Sequence, residues 1–529
     1  MALADATLPT RRDEFLGHPK GLYVCFFTEM WERFSFYGMK ALLLLYLIKY
    51  HLFSDEHGYN LIGAYGGLVY AMPVIGGLVA DRWLGMRKAV VFGGILLVLG
   101  HLGMAIEGHP ASRVDGVVVR DAGALQAFYF SLALIIVGVG FLKPNISTIV
   151  GKLYGENDPR RDSGFSLFYA GINLGATISG VLCGWLGETF GWGWGFGAAG
   201  IGMVAGLVNF ILGQKHLRGH AEPREPVRLR ERMLGIITRE HLIYLGGLAG
   251  VVVVWGLIQS HSLVLALIPG LFEPSPVLLA MHVVAACLLG GILWFMRARC
   301  NRVERQQMAM VLAFIAMGLV FFTLYEQTYG SWVLFSDRAM NHRALGIEWT
   351  ASQLTSLGAF FILVLAPLFA WLWPRLERRG WNPGSASKSA LGLVFAGLSF
   401  LVLVWSARHP EDNGLTGIWW FVLAYFVLEV GEMMLSPIGL SVVTALSVPR
   451  VVGLMMGGWF LGTSYSEVLA AELGKLSAID IPDGAAVDVA AALAGYEELF
   501  LFSAKIGIGA GLLVFALSPF IRRWMHGVK

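Results

Sequence analysis

FFTEMWERFSFYGMKALLLLYLI, residues 26–48, is an apolar run of membrane length that carries Glu29, Glu32 and Arg33 within five residues. Charges at membrane depth are expensive and persist where a partner charge, a water-filled path or a bound molecule needs them. Glu29 and Arg33 are four residues apart and share one helix face, and Glu32 widens that face. Lipid does not tolerate such a stripe, so this helix looks inward.

The composition agrees. Over 529 residues, 56% are hydrophobic and only 14% charged, with a mean hydropathy of +0.65, whereas soluble domains carry about 25% charged residues. This predicts an all-α polytopic membrane protein. The 67 glycines suit that class, because small residues let membrane helices approach closely. A net charge of +3 argues for no nucleic-acid partner. Cys25, Cys183, Cys287 and Cys300 lie in or beside apolar helices, with neither disulfide nor metal spacing, and read as small core residues. The paired arginines in TRRDEFLG, residues 10–17, look like a twin-arginine export signal. The apolar stretch that follows is too long and too charged for one, so the first helix is expected to remain in the mature protein.

Apolar spans fall near residues 21–51, 61–82, 87–106, 123–152, 162–189 and 193–213. A basic, polar stretch from Gln214 to Glu240 reads as a solvated linker. Two spans follow near 241–268 and 275–298, then six near 304–335, 350–374, 387–407, 416–446, 451–474 and 494–521. The expected organisation is an amino-terminal six-helix bundle in 1–213, a linker with two inserted helices in 214–303, and a carboxy-terminal six-helix bundle in 304–529. About fourteen helices put both termini on one side. With that side cytoplasmic, its loops hold about 28 of the 39 Lys and Arg, against about 6 opposite.

The two six-helix blocks echo one another. IGGLVADRWLGMRK (75–88) ends its helix on Asp81, Arg82, Arg87 and Lys88, and APLFAWLWPRLERRG (366–380) looks like a worn copy. The basic cluster reads as a stabiliser of one conformational state. GVGFLKPNIS (138–147) aligns with VGEMMLSPIGLS (430–441), bringing Gly138 over Gly431 and Pro144 over Pro437. Parallel repeats of this kind place a binding site at the midplane between the halves. Lys143 lies on one of these equivalent helices and Glu432 on the other.

These strings carry a resemblance. GGLVADRWLGMRK resembles the loop signature of the major facilitator superfamily, and several others resemble its proton-coupled oligopeptide transporter (POT/PTR) family. They are EMWERFSFYGMK (29–40), which matches an E-x-x-E-R-F pattern, FLKPNIS (141–147), FYAGINLG (168–175) and GEMMLSPIGLS (431–441). The match covers nearly the whole chain, and two extra helices between the halves are what bacterial members carry. The resemblance implies a major facilitator fold and, as function, a proton-coupled symporter importing di- and tripeptides by alternating access.

The charge inventory suits such a cargo. A zwitterionic peptide has a carboxylate, which Arg33, Lys40 or Lys143 can receive, guanidinium geometry favouring Arg33. Its ammonium can go to Glu326 or Glu432, and the resemblance gives that role chiefly to Glu432. The resemblance also places Asn173 on the peptide backbone and makes Tyr37, Tyr70 and Trp459 pocket residues. A carboxylate that loses Arg33 to the substrate can take up a proton, and the resemblance assigns proton coupling to Glu29, Glu32 and Arg33, without deciding which glutamate carries it. Lys143 with Glu432 and Lys40 with Glu326 are candidate gating pairs.

Three positions depart from the family pattern. Phe36 stands where a second tyrosine is frequent, Lys40 where an arginine is common, and Gly358 where an asparagine often helps hold the peptide's amino end. A same-family carrier of nitrate or another carboxylated compound is the alternative. An integral membrane enzyme or sensor would need a nucleophile, a metal cluster or an output domain, and the loops are too short and motif-poor to supply one. No catalytic, metal or cofactor site is expected beyond protons as coupling ion. The expected partners are small peptides, protons and membrane lipid, and the expected working unit is a monomer in a bacterial inner (plasma) membrane.

Overall fold

Apolar runs with no polar face for water fold as helices, since only a helix satisfies its own backbone within lipid. The computed structural model describes residues 14–155, 158–217, 219–223, 225–259, 276–479 and 487–528. Arg11 and Arg12 of the paired-arginine string, and residues 260–268 of the seventh expected span, lie outside the described residues. Fourteen helices of 19 residues or more occur among the described residues. Twelve membrane-length stretches are both long and apolar enough to cross a bilayer. The two helices outside that set are the first, which carries Glu29, Glu32, Arg33 and Lys40, and the thirteenth, diluted with Gly, Ser and Thr.

Contact density divides the chain into two units. The first comprises residues up to Leu42, Ala71–Arg113 and Val118–Gln259. It holds most of α1 (Lys20–Leu45), the second half of α2 (Asp55–Val79), α3 (Met86–Met104), α4 (Ala122–Lys152), α5 (Arg161–Phe190), α6 (Trp192–Gly213) and α7 (Arg239–Gln259). Asp121 starts α4 by accepting from the Ala124 N–H at 3.0 Å. Gly191, at φ +121°, separates α5 from α6 in a backbone conformation that residues with a side chain avoid.

The second unit comprises Leu43–Tyr70, Val114–Val117 and Ser260–Lys529. It takes the end of α1, the first half of α2, α8 (Pro276–Arg299), α9 (Arg302–Tyr325), α10 (Ser356–Arg378), α11 (Ser385–Arg408), α12 (Ile418–Leu446), α13 (Val452–Gly474) and α14 (Val489–Trp524). A capping box of Asn301 and Glu304 opens α9, and Asp488 caps α14.

The repeat read from the sequence is visible in the packing. In the first unit, a Cβ on Gly93 of α3 would lie 2.6 Å from the Gly138 carbonyl oxygen, and one on Gly138 of α4 2.9 Å from that of Gly93. In the second, Gly392 of α11 and Gly431 of α12 stand in the same reciprocal relation at 2.8 Å each way. The aligned glycines Gly138 and Gly431 therefore let equivalent helix pairs touch backbone to backbone, where dispersion supplies the attraction that water does not.

The stretch from Gln214 to Glu240, expected as a solvated linker, is instead folded within the first unit. Its described part contains a short helix, Pro226–Leu229, and a hairpin pairing Arg232–Leu234 with Ile237–Thr238. Arg87 forks onto Glu222 at 2.5 and 3.1 Å and reaches Gln214 at 3.0 Å, while Lys88 meets Glu240 at 2.6 Å. The acidic residues scattered through this basic stretch answer the basic loop after α2, which a count of net charge hides.

Within the second unit, the start of α2 is locked by a buried ion pair. Both Arg338 Nη atoms, at the end of the short helix Ser331–Ala339, donate to Asp55 at 2.6 Å, and the Ile479 N–H adds a 3.0 Å bond to the same carboxylate. The two side chains are 3% and 4% exposed, so each charge depends on the other. Arg338→Leu is expected to cost about 3–5 kcal/mol, and Asp55→Leu with Arg338→Leu to recover most of it; denaturation of the detergent-solubilised protein measures both. For the folded linker, Glu222→Lys is expected to speed tryptic cleavage at Arg228–Arg232 several-fold, and an unchanged rate would mean that the Glu222 contacts do not hold the segment.

Candidate functional site

The first unit gathers Glu29, Glu32, Arg33, Tyr37, Lys40, Lys143 and Asn173 of the expected site. On α1, Glu29, Glu32 and Arg33 are all buried, at 2%, 1% and 1% exposure. Arg33 does not treat the two glutamates alike. Its Nε and Nη2 both donate to the adjacent Glu32, the second at 2.6 Å, whereas Glu29 Oε1 lies 3.4 Å from Nε. The fork is the geometry a guanidinium prefers, two parallel N–H donors onto one carboxylate. Glu29 Oε2 is left buried without a hydrogen-bond partner.

Phe36, which replaces an expected hydroxyl, lies against this charge. Its ring centroid is 4.8 Å from the Arg33 guanidinium carbon, and that of Tyr37 is 5.8 Å away. The phenyl face thus attracts the cation that a hydroxyl would have met. The buried Lys40 ammonium lies 6.0 Å from the same ring. Lys143, partly buried on α4 one residue before Pro144, feels the charges of Arg33, Glu32, Glu29 and Lys40. Asn173, buried on α5, donates to the Tyr169 carbonyl one turn back at 3.1 Å. This unit therefore carries a dense set of charges with cations in the majority.

Tyr70, Glu326, Glu432 and Trp459 fall in the second unit. Glu326 opens the tight turn Glu326–Tyr329 at the end of α9 and is 8% exposed, and Glu432 lies inside α12 at 7%. Tyr70 is partly buried on α2. Trp459 is wedged into a slot made by two glycines, a Cβ on Gly439 falling 2.2 Å and one on Gly318 3.1 Å from its ring. That seat fixes the indole rigidly. Sequence reasoning passed over Glu429, fully buried three residues before Glu432. The signal was present in LEVGE (428–432), two carboxylates at helical spacing in an apolar helix. Asp55 and Arg338 were also missed, being 283 residues apart.

Taken unit by unit, the guanidinium with two carboxylates in the first can exchange one anion for another, and the buried acids of the second can receive a cation. Among the described residues no group of His, Cys, Asp and Glu is arranged to hold a metal ion.

Comparison with known proteins supplies an independent line. Residues 87–479 match the model of the POT family (PTR2). The chain is 34% identical over 487 residues to the peptide transporter YePEPT of Yersinia enterocolitica, covering 87% of this chain and 88% of that one. It is 30% identical over 512 residues to the dipeptide and tripeptide permease A of Erwinia pyrifoliae, covering 96% and 94%. Among solved structures, a variant of a peptide transporter POT in complex with alafosfalin superposes with a TM-score of 0.79 at 32% identity, covering 98% of each chain.

The Arg33 fork can be tested without any activity. Arg33→Lys keeps the charge but cannot pair in two parallel bonds, and is expected to cost about 1–2 kcal/mol in thermal or denaturant unfolding. Unchanged stability would mean that the second N–H bond contributes nothing.

Proposed function

Because the chain belongs to the POT family, an integral membrane transporter family and not a family of enzymes, we propose that it is a proton-coupled symporter that imports di- and tripeptides by alternating access. The observation that carries this reading is the buried Arg33, forked onto Glu32 and within 3.4 Å of Glu29. An incoming peptide carboxylate competes for the same guanidinium. Once Arg33 turns to the substrate, a glutamate loses its partner in a low-dielectric site, and protonation is the cheapest way to remove the stranded charge.

The remaining residues take roles that follow from their chemistry. Glu432 and Glu326 receive the ammonium. Lys40 and Lys143 hold the cationic pole. Tyr37, Tyr70, Asn173 and Trp459 shape the space between the ends, where a carrier of many peptides needs room more than complementarity. Lys143 with Glu432 and Lys40 with Glu326 are assigned as the charge pairs broken and remade during the cycle. One proton entering down about 100 mV contributes roughly 2.3 kcal/mol, enough for about fifty-fold accumulation. No nucleotide or other cofactor is needed.

A nitrate-type cargo has no use for the acidic side chains of the second unit, and the relatives named for peptides argue against it. We place the protein in the bacterial inner membrane with both termini cytoplasmic, on the bias of its Lys and Arg, surrounded by lipid and working as a monomer.

Proteoliposomes under an imposed pH gradient test the reading. Labelled dialanine should accumulate and be displaced by other di- and tripeptides, and not by single amino acids or nitrate; uptake indifferent to the gradient removes symport. Glu32→Gln is expected to abolish gradient-driven accumulation while leaving peptide counterflow.

A further inference from the structure

Glu429 and Glu432 sit one turn apart on α12, at 0% and 7% exposure. Both Glu429 oxygens and Oε2 of Glu432 are buried from solvent, and the two carboxyls face each other and the Tyr325 hydroxyl. The titratable groups acting on the pair are Tyr325 and Glu326 from the end of α9 and Tyr425 from α12 itself, which add no positive charge. From α10 comes Gly358, where a Cβ would fall 2.7 Å from Glu429 Oε1. The missing side chain at 358 is the room that the Glu429 carboxyl occupies. Nothing titratable from α11 or α13 acts on the pair.

Two carboxyls this close and this dry cannot both stay ionised without a cation. We propose that Glu429 is a second ligand for the substrate ammonium, which the Glu429–Glu432 pair grips from one helix turn, and that the empty pair holds one proton which the ammonium displaces. The inference rests on the peptide reading above and extends it. An ammonium has three donors and no acceptor, so it can serve one oxygen from each carboxylate and still bond a third group. The exchange balances: the neutral half of the pair releases its proton to solvent and two carboxylates face one R–NH₃⁺. Amine binding at this pole therefore releases a proton while carboxylate binding at the Arg33 pole invites one. The net proton count on binding becomes the sum of two opposed events.

Isothermal titration of the purified full-length protein with dialanine, in buffers of different ionisation enthalpy, reads affinity and proton count together. Glu429→Gln keeps the shape and removes the charge. It is expected to weaken dialanine about ten- to a hundredfold and to shift the proton count by about one towards uptake. N-acetyl-dialanine, which has no ammonium, should bind both proteins equally. Glu429→Asp, which keeps the carboxyl on a shorter stem, should lose less affinity and retain the wild-type proton count, and serves if Glu429→Gln does not fold. Unchanged affinity and proton count in Glu429→Gln, with wild-type binding intact, overturn the role of Glu429. Absence of dialanine binding by the wild type overturns the peptide reading instead.

Discussion

An ionised side chain withdrawn from water must find a partner or give up its charge, and this protein is organised around that demand. The cost of leaving a charge unpaired exceeds the gain from any single apolar contact. Arg33 meets the demand with two carboxylates at once, forking onto Glu32 and leaving Glu29 half served. In the proposed mechanism a cation so placed holds two acids in reserve, and an anion that competes for its five N–H donors changes the state of both.

The scaffold gives that competition a fixed geometry. Reciprocal glycine contacts bring α3 against α4 and α11 against α12 at backbone distance. At this distance a side chain on any of the four glycines would drive the backbones apart. Outside the charge-bearing helices, Asp55 and Arg338 hold the start of α2 to the short helix Ser331–Ala339. The folded stretch after α6 is joined to the basic loop through Arg87 and Lys88. At these places ionic bonds join segments far apart in the chain.

Substitutions at family positions read differently once neighbours are known. Phe36 loses a hydroxyl and offers Arg33 a ring face. Gly358 loses an amide, and its space is taken by a carboxyl from the next helix but one. At position 36 the residue's own ring faces the cation, and at 358 the missing polar group coincides with a carboxyl from another residue. Position-by-position comparison sees a loss, whereas the packed structure contains an exchange.

The class, the long helices, the internal repeat and the inward face of α1 were legible in the amino-acid sequence, because each follows from local rules: hydropathy over about twenty residues, helical spacing and the cost of burying charge. Glu32, Arg33, Lys143 and Glu432 could be singled out for the same reason, and Glu429 could have been, since LEVGE obeys the same spacing. Partner choice was decided only by tertiary structure. Arg33 forks onto Glu32 and stands farther from Glu29, a choice that helical spacing alone does not settle. Asp55 meets Arg338, and Glu222 meets Arg87, across 283 and 135 residues, separations over which charge alone names many candidates and only chain folding picks one. Gly358 shows the limit most plainly: its meaning lies in Glu429, 71 positions later in the chain, and becomes readable only when folding sets the Glu429 carboxyl 2.7 Å from where a Cβ at 358 would stand.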